Sequence, residues 1–98
     1  MTLPETMRAV VVRDLKGPEA AHVESRPVPH PVAGEVLIAV RAAGVNYADV
    51  MQTRGLYVGG PEAPYVPGLE AAGEVVAAGE GAQIPVGARV LGGGAGAF

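Results

Sequence analysis

The chain has no cysteine and no tryptophan, one phenylalanine, two histidines, and seven lysines and arginines against ten aspartates and glutamates. Each shortage excludes something. Without thiols there can be no disulfide, and a metal site could not draw on thiolate ligands. A net charge of −3 with no basic cluster argues against nucleic acid and against an anionic membrane as partners. No apolar run approaches the roughly 18 residues needed to span a bilayer, and the start of the chain lacks the charged and apolar regions of a signal peptide. A cytoplasmic location is expected.

What the sequence has in quantity is glycine, 15 residues, and proline, 9 residues, in a chain of 98. Both are about double their usual roughly 7% and 5%. Here they punctuate short valine-rich runs, which is how turns between strands read. Valine, leucine, isoleucine and phenylalanine make up about a quarter of the residues, above the roughly 20% below which disorder is expected. A chain of this length forms one domain at most.

Strands are expected over residues 7–14, after a loose extension at 1–6, and over 22–25, 35–42, 69–77 and 88–91. The third, EVLIAVRA, alternates Val36, Ile38 and Val40 on one face with Leu37 and Ala39 on the other, so cover on both sides is expected. Between 26 and 34 prolines recur at alternate positions, which forbids a central strand or a helix and leaves an extended surface connection. At 46–54 the period changes. Asn46 is a good N-cap with Asp49 three residues on, and Gly55 stands where a left-handed residue ends a helix, so one or two helical turns are predicted. Gly73, inside the fourth strand, suggests a bulge or a close backbone contact. Short strands with a turn about every ten residues make a small barrel or sandwich.

Taken in order, MRAVVV at the start, PVAGEVLI at 31–38, AAGVNYAD at 42–49, RGLY at 54–57, PYVPGLEAAGEV at 64–75 and VGARV at 86–90 resemble the amino-terminal part of the medium-chain dehydrogenase/reductase superfamily. The resemblance covers residues 7–98. It implies a mostly β fold, a partial GroES-like barrel with one short helix, belonging to a two-domain α/β reductase whose nucleotide-binding domain would follow. Zinc-dependent alcohol dehydrogenases of this superfamily carry a cysteine ligand in the segment aligned with AAGVNYAD and a histidine before the glutamate aligned with Glu70. This sequence has Asn46 and Leu69 there, and neither supplies the sulfur or imidazole that zinc takes. The Gly-Val-Asn-Tyr-x-Asp pattern and the later Gly-Leu-Tyr are similar instead to the zinc-free quinone oxidoreductases, the ζ-crystallin-like group.

That likeness implies NADPH as cofactor, no zinc, a quinone or α,β-unsaturated carbonyl as substrate, and a homo-oligomeric parent enzyme. It implies a place for Asn46 at the nicotinamide end of the cleft, contacting cofactor or substrate, beside its bland role as a helix cap. Tyr57 matches a cleft tyrosine able to donate to the oxygen on which charge develops; otherwise it packs its ring on the barrel. Tyr47 and Tyr65 read as packing residues, Asp49 as the cap partner, and Glu70 as a hydrogen-bonding partner of backbone or arginine. His22 and His30 read as neither ligands nor bases. Residues 92–97 formally fit G-x-G-x-x-A, but the dinucleotide fingerprint needs a following helix and an acidic residue about 20 positions on, so phosphate binding is not expected there. Two other functions share the scaffold: a non-catalytic GroES-like binding or co-chaperonin module, and an enoyl reductase domain of a polyketide or fatty-acid synthase.

Overall fold

In the computed structural model, residues 2–94 and 96–98 are described. Five strands and two short helices follow in the order β1 (Thr6–Val12), a 3-10 turn (Pro18–Ala20), β2 (Ala21–Pro27), β3 (Val36–Ala43), α1 (Tyr47–Thr53), β4 (Glu70–Ala78) and β5 (Arg89–Gly93). They form two antiparallel sheets, β1-β2 and β3-β4-β5. The mostly β architecture with a single α-helix matches expectation. The first two strands differ from their sequence-based bounds: β1 begins one residue early, at Thr6, and ends at Val12 rather than at residue 14, Glu5 accepts a bond from Val28 N–H at 2.9 Å, and β2 is longer, running seven residues from Ala21 to Pro27.

Alternation explains why β1 carries the core. Ala9 and Val11 point inward and are buried, as period-two spacing requires. Val12 breaks the alternation and is also fully buried. Beyond the β2 ladder it exchanges two main-chain bonds with Tyr65, Val12 N–H to Tyr65 O at 2.9 Å and Tyr65 N–H to Val12 O at 3.0 Å, and the connection before β4 covers its other face. With Val75 of β4 these residues form the apolar core. Burying each valine contributes about 1.5–3 kcal/mol.

The second sheet departs from expectation on one point. β3 is covered along only half its length: residues 36–39 are half-buried on both faces, whereas Val40, 45% exposed, and Arg41, Ala42 and Ala43 after it are exposed on both. At Gly73 both readings offered by the sequence hold. Register shifts fall between Leu37 and Ile38 and between Val40 and Ala42, and the second lies at Gly73, which pairs with Val40 while Ala42 pairs with Ala72. A Cβ on Gly73 would also collide with the carbonyl oxygen of Ala39, so glycine is there for close backbone approach.

The glycine-rich end of the chain folds back along the residues before β4. Gly94 N–H donates to Leu69 O at 2.8 Å, Gly96 N–H to Gly68 O at 3.0 Å and Phe98 N–H to Pro67 O at 2.9 Å, while Phe98 O accepts from Val10 N–H at 3.2 Å. Gly68 is buried at φ 111°, and a Cβ there would sit 2.7 Å from the Phe98 ring. The formal G-x-G-x-x-A match is thus strand and return loop, with these amides already bonded. Residue 95, inside the match, lies outside the described residues.

Candidate functional site

Helix α1 organises the region singled out by the sequence. Asn46 is its N-cap in extended conformation (φ −114°, ψ 158°), within a capping box with Asp49. Asn46 N–H donates to Asp49 Oδ2 at 2.7 Å, a charge-assisted bond of the stronger kind. Asp49 N–H in turn donates to the Asn46 carbonyl at 3.0 Å. The helix start therefore does not rest on the Asn46 side-chain amide alone, and that half-buried side chain can serve a ligand as well. Asp49 is only 4% exposed.

The other end closes as the sequence predicts. Gly55 has φ +70°, its N–H bonds Gln52 O at 3.1 Å, and Leu56 N–H bonds Met51 O at 3.1 Å. These are the 5→2 and 6→1 bonds of a Schellman motif. The motif turns the chain into Leu56, Tyr57 and Val58, which are 63%, 47% and 98% exposed. Tyr57 heads a tight turn in which Gly60 N–H donates to Tyr57 O at 2.9 Å. A Cβ on Gly60 would stand 3.6 Å from Gln52 Cγ, so the turn is seated on the helix.

Asn46 and Tyr57 accordingly lie beyond opposite ends of α1, whose seven residues rise about 10 Å, and no hydrogen bond joins them among the described residues. Exposed apolar side chains that sequence reading overlooked flank the helix, Val45 (75% exposed) before it and Leu56 and Val58 after it. No periodic signal marks these residues, since each is a single apolar position beside a turn. Tyr47 is 77% exposed rather than packed.

Glu70 opens β4 opposite this segment, since Ala43 pairs with Ala71. Its carboxylate makes no hydrogen bond or ion pair among the described residues, contrary to expectation. It lies instead against the backbone of Gly44, where any Cβ would clash with it. Because Glu70 is an exposed, flexible side chain, it could move aside for a Cβ at Gly44, two residues before Asn46. Tyr65 is packed as expected, and its hydroxyl is buried. Burial, with the Asp49 charge adding to it, pushes the Tyr65 phenol above its ordinary value. His22 and His30 are exposed, and no cluster of three or more potential metal-binding His, Cys, Asp or Glu side chains exists among the described residues. No described helix is long and apolar enough to cross a membrane.

A turn-rich β domain with a short helix flanked by an amide at one end and a phenol at the other is the class that fold and site define. Residues 32–96 match the alcohol dehydrogenase GroES-like domain, and the chain belongs to that family, in the medium-chain dehydrogenase/reductase superfamily. It is 44% identical over 77 residues to the rat synaptic vesicle membrane protein VAT-1 homolog, covering 76% of this chain and 19% of that protein. It is 44% identical over 75 residues to the quinone oxidoreductase of Lama guanicoe, covering 76% of this chain and 23% of the relative. Among solved structures, a mycobacterial protein complexed with NADPH superposes with a TM-score of 0.84 at 37% identity, over 93% of this chain and 29% of that one. The chain spans about a fifth of the length of the curated relatives it matches.

Proposed function

We propose that this chain forms one wall of the catalytic cleft of an NADPH-dependent, zinc-independent reductase acting on a quinone or an α,β-unsaturated carbonyl, the nucleotide-binding domain supplying the other wall. The observation that carries this reading is the Asn46 cap. A half-buried amide sits on a main chain fixed by a charge-assisted bond, next to exposed Val45, at the position where zinc enzymes of the superfamily use cysteine. Asparagine and Leu69 fit no zinc site. They do fit an organic ligand: an amide to donate and accept, and apolar side chains for a flat ring.

When bound, NADPH supplies the hydride. The chain's own residues bind and orient. Asn46 holds the carboxamide end of the cofactor or the substrate carbonyl. The Tyr57 hydroxyl donates toward the carbonyl oxygen as negative charge builds there, the task a metal would otherwise perform. Val45, Leu56 and Val58 exclude water from the ring. The amides of Gly94, Gly96 and Phe98 are already bonded, so the cofactor's phosphates are left to the other domain. The parent enzyme is a cytoplasmic homo-oligomer in this reading.

The test is NADPH oxidation with a quinone acceptor, followed by nicotinamide absorbance, in the polypeptide that joins this domain to its nucleotide-binding domain. Tyr57→Phe should lower kcat roughly 10- to 100-fold with little change in KM for NADPH. Asn46→Ala should raise KM as well. Full turnover in both variants, or a requirement for added Zn²⁺, would overturn the proposal.

A further inference from the structure

Two buried polar atoms have no hydrogen-bond partner among the described residues, Asp49 Oδ1 and the Tyr65 hydroxyl. A buried polar group left unpaired carries its full desolvation cost, and folded proteins keep few of them. The two are chemically complementary. An ionised carboxylate oxygen only accepts, and a phenol has a proton to donate. Both are also anchored. Asp49 is held through its other oxygen by Asn46 N–H at 2.7 Å, and Tyr65 by its paired main-chain bonds to Val12. The Asp49 charge is close enough to disfavour ionisation of the Tyr65 phenol.

We propose that the Tyr65 hydroxyl donates to the second oxygen of Asp49, making Tyr65 a positioning residue for Asn46. A small rotation of the carboxylate or one bridging water closes the bond, and donor and acceptor are the same in both cases. The link runs from the end of β1 through Tyr65 to Asp49 and from its other oxygen to the N-cap. With both oxygens engaged, the carboxylate cannot turn, and the Asn46 main chain, hence the direction of its amide, is fixed against the core. The link stands without the reductase reading; only its consequence for turnover rests on that reading.

The test is a double-mutant cycle in the 98-residue chain, with Tyr65→Phe, Asp49→Asn and the pair, read by urea unfolding. The two effects should be coupled by about threefold to tenfold in the unfolding constant, as for residues that share a hydrogen bond. In the Tyr65→Phe chain the Asn46 backbone amide proton should shift in the NMR spectrum, which a loss of packing remote from the cap would not cause. Should either variant fail to fold, the unsubstituted chain decides: the Tyr65 hydroxyl proton should appear in the NMR spectrum in slow exchange with water, as a proton held by an acceptor does. Additive variants with an unmoved Asn46 amide, or a Tyr65 hydroxyl proton that exchanges freely, would overturn the link. Neither outcome bears on NADPH oxidation, so failure here and failure of the proposed activity are separable.

Discussion

The two ends of α1 are closed by opposite means. At the N-terminal end a buried side chain, Asp49, does the work with a charge-assisted bond. At the C-terminal end the main chain does most of it, through Gly55 at φ +70° and two backbone bonds, with the Thr53 hydroxyl donating to Val50 O at 2.6 Å, and the side chains that follow are exposed. The difference is instructive. A cap made of main chain frees every neighbouring side chain for contact with something else, and Leu56, Tyr57 and Val58 are so freed. A cap made of a buried carboxylate ties its surroundings together and fixes one residue, Asn46, in one place. One end offers exposed side chains and the other a fixed polar group, which is what the proposed cleft wall would need from each.

The largest expected effect comes from breaking the rigid end. Asp49→Ala removes the acceptor for Asn46 N–H and should lower stability by about 2 kcal/mol, at the upper end for cap residues because the site is buried; urea unfolding measures it. Next is the main-chain end. Gly55→Ala forces a Cβ into the left-handed region and should cost about 1 kcal/mol, with the Leu56 N–H bond weakened in amide exchange. If the two costs were reversed, the contrast between the ends would fail.

A third expectation sharpens the contrast by pH. The Tyr65 phenol is raised in the folded chain, by burial first and the Asp49 charge second. Its contribution is therefore complete below the ordinary tyrosine value of about 10. It is lost as pH rises from there through the folded value, since the unfolded state releases the proton first. The thermal midpoint should fall on this alkaline limb, and Tyr65→Phe should flatten it. Exposed Tyr57, by contrast, should leave stability within about 0.5 kcal/mol when changed to Phe. The smallest effect is expected away from the helix altogether. Arg13 donates two bonds to Glu24, at 2.7 and 2.6 Å, and holds its carboxyl below the usual range, yet the pair is solvent-exposed, where screening leaves ion pairs little net value. Glu24→Gln should leave the midpoint unchanged at neutral pH.

Local chemistry made several features legible in advance. The Asn46–Asp49 box and the Gly55 stop each depend on residues within one helical turn, and the third, fourth and fifth strands on period-two runs bounded by glycine and proline. Where neighbours distant in sequence decide, the sequence was silent. It offered a bulge or a close contact at Gly73 and could not show that both occur there, because the extra residue, Arg41, and the oxygen in contact, that of Ala39, both belong to β3. It gave Glu70 a hydrogen bond that the fold replaces with contact on Gly44, and it assigned β3 a cover that the fold gives only to its first half.

By itself, then, the amino-acid sequence determined the β class, the helix with both its ends, and a donor set of amide and phenol without thiol or paired imidazole. These follow from dihedral preferences and from side-chain chemistry, which travel with each residue. Only the tertiary structure decided that Tyr65 is pinned to Val12, that its hydroxyl and Asp49 Oδ1 are each buried with no hydrogen-bond partner among the described residues, and that the residues after Gly55 remain on the surface. Burial is a property of chain segments brought together from afar, and no local pattern encodes it.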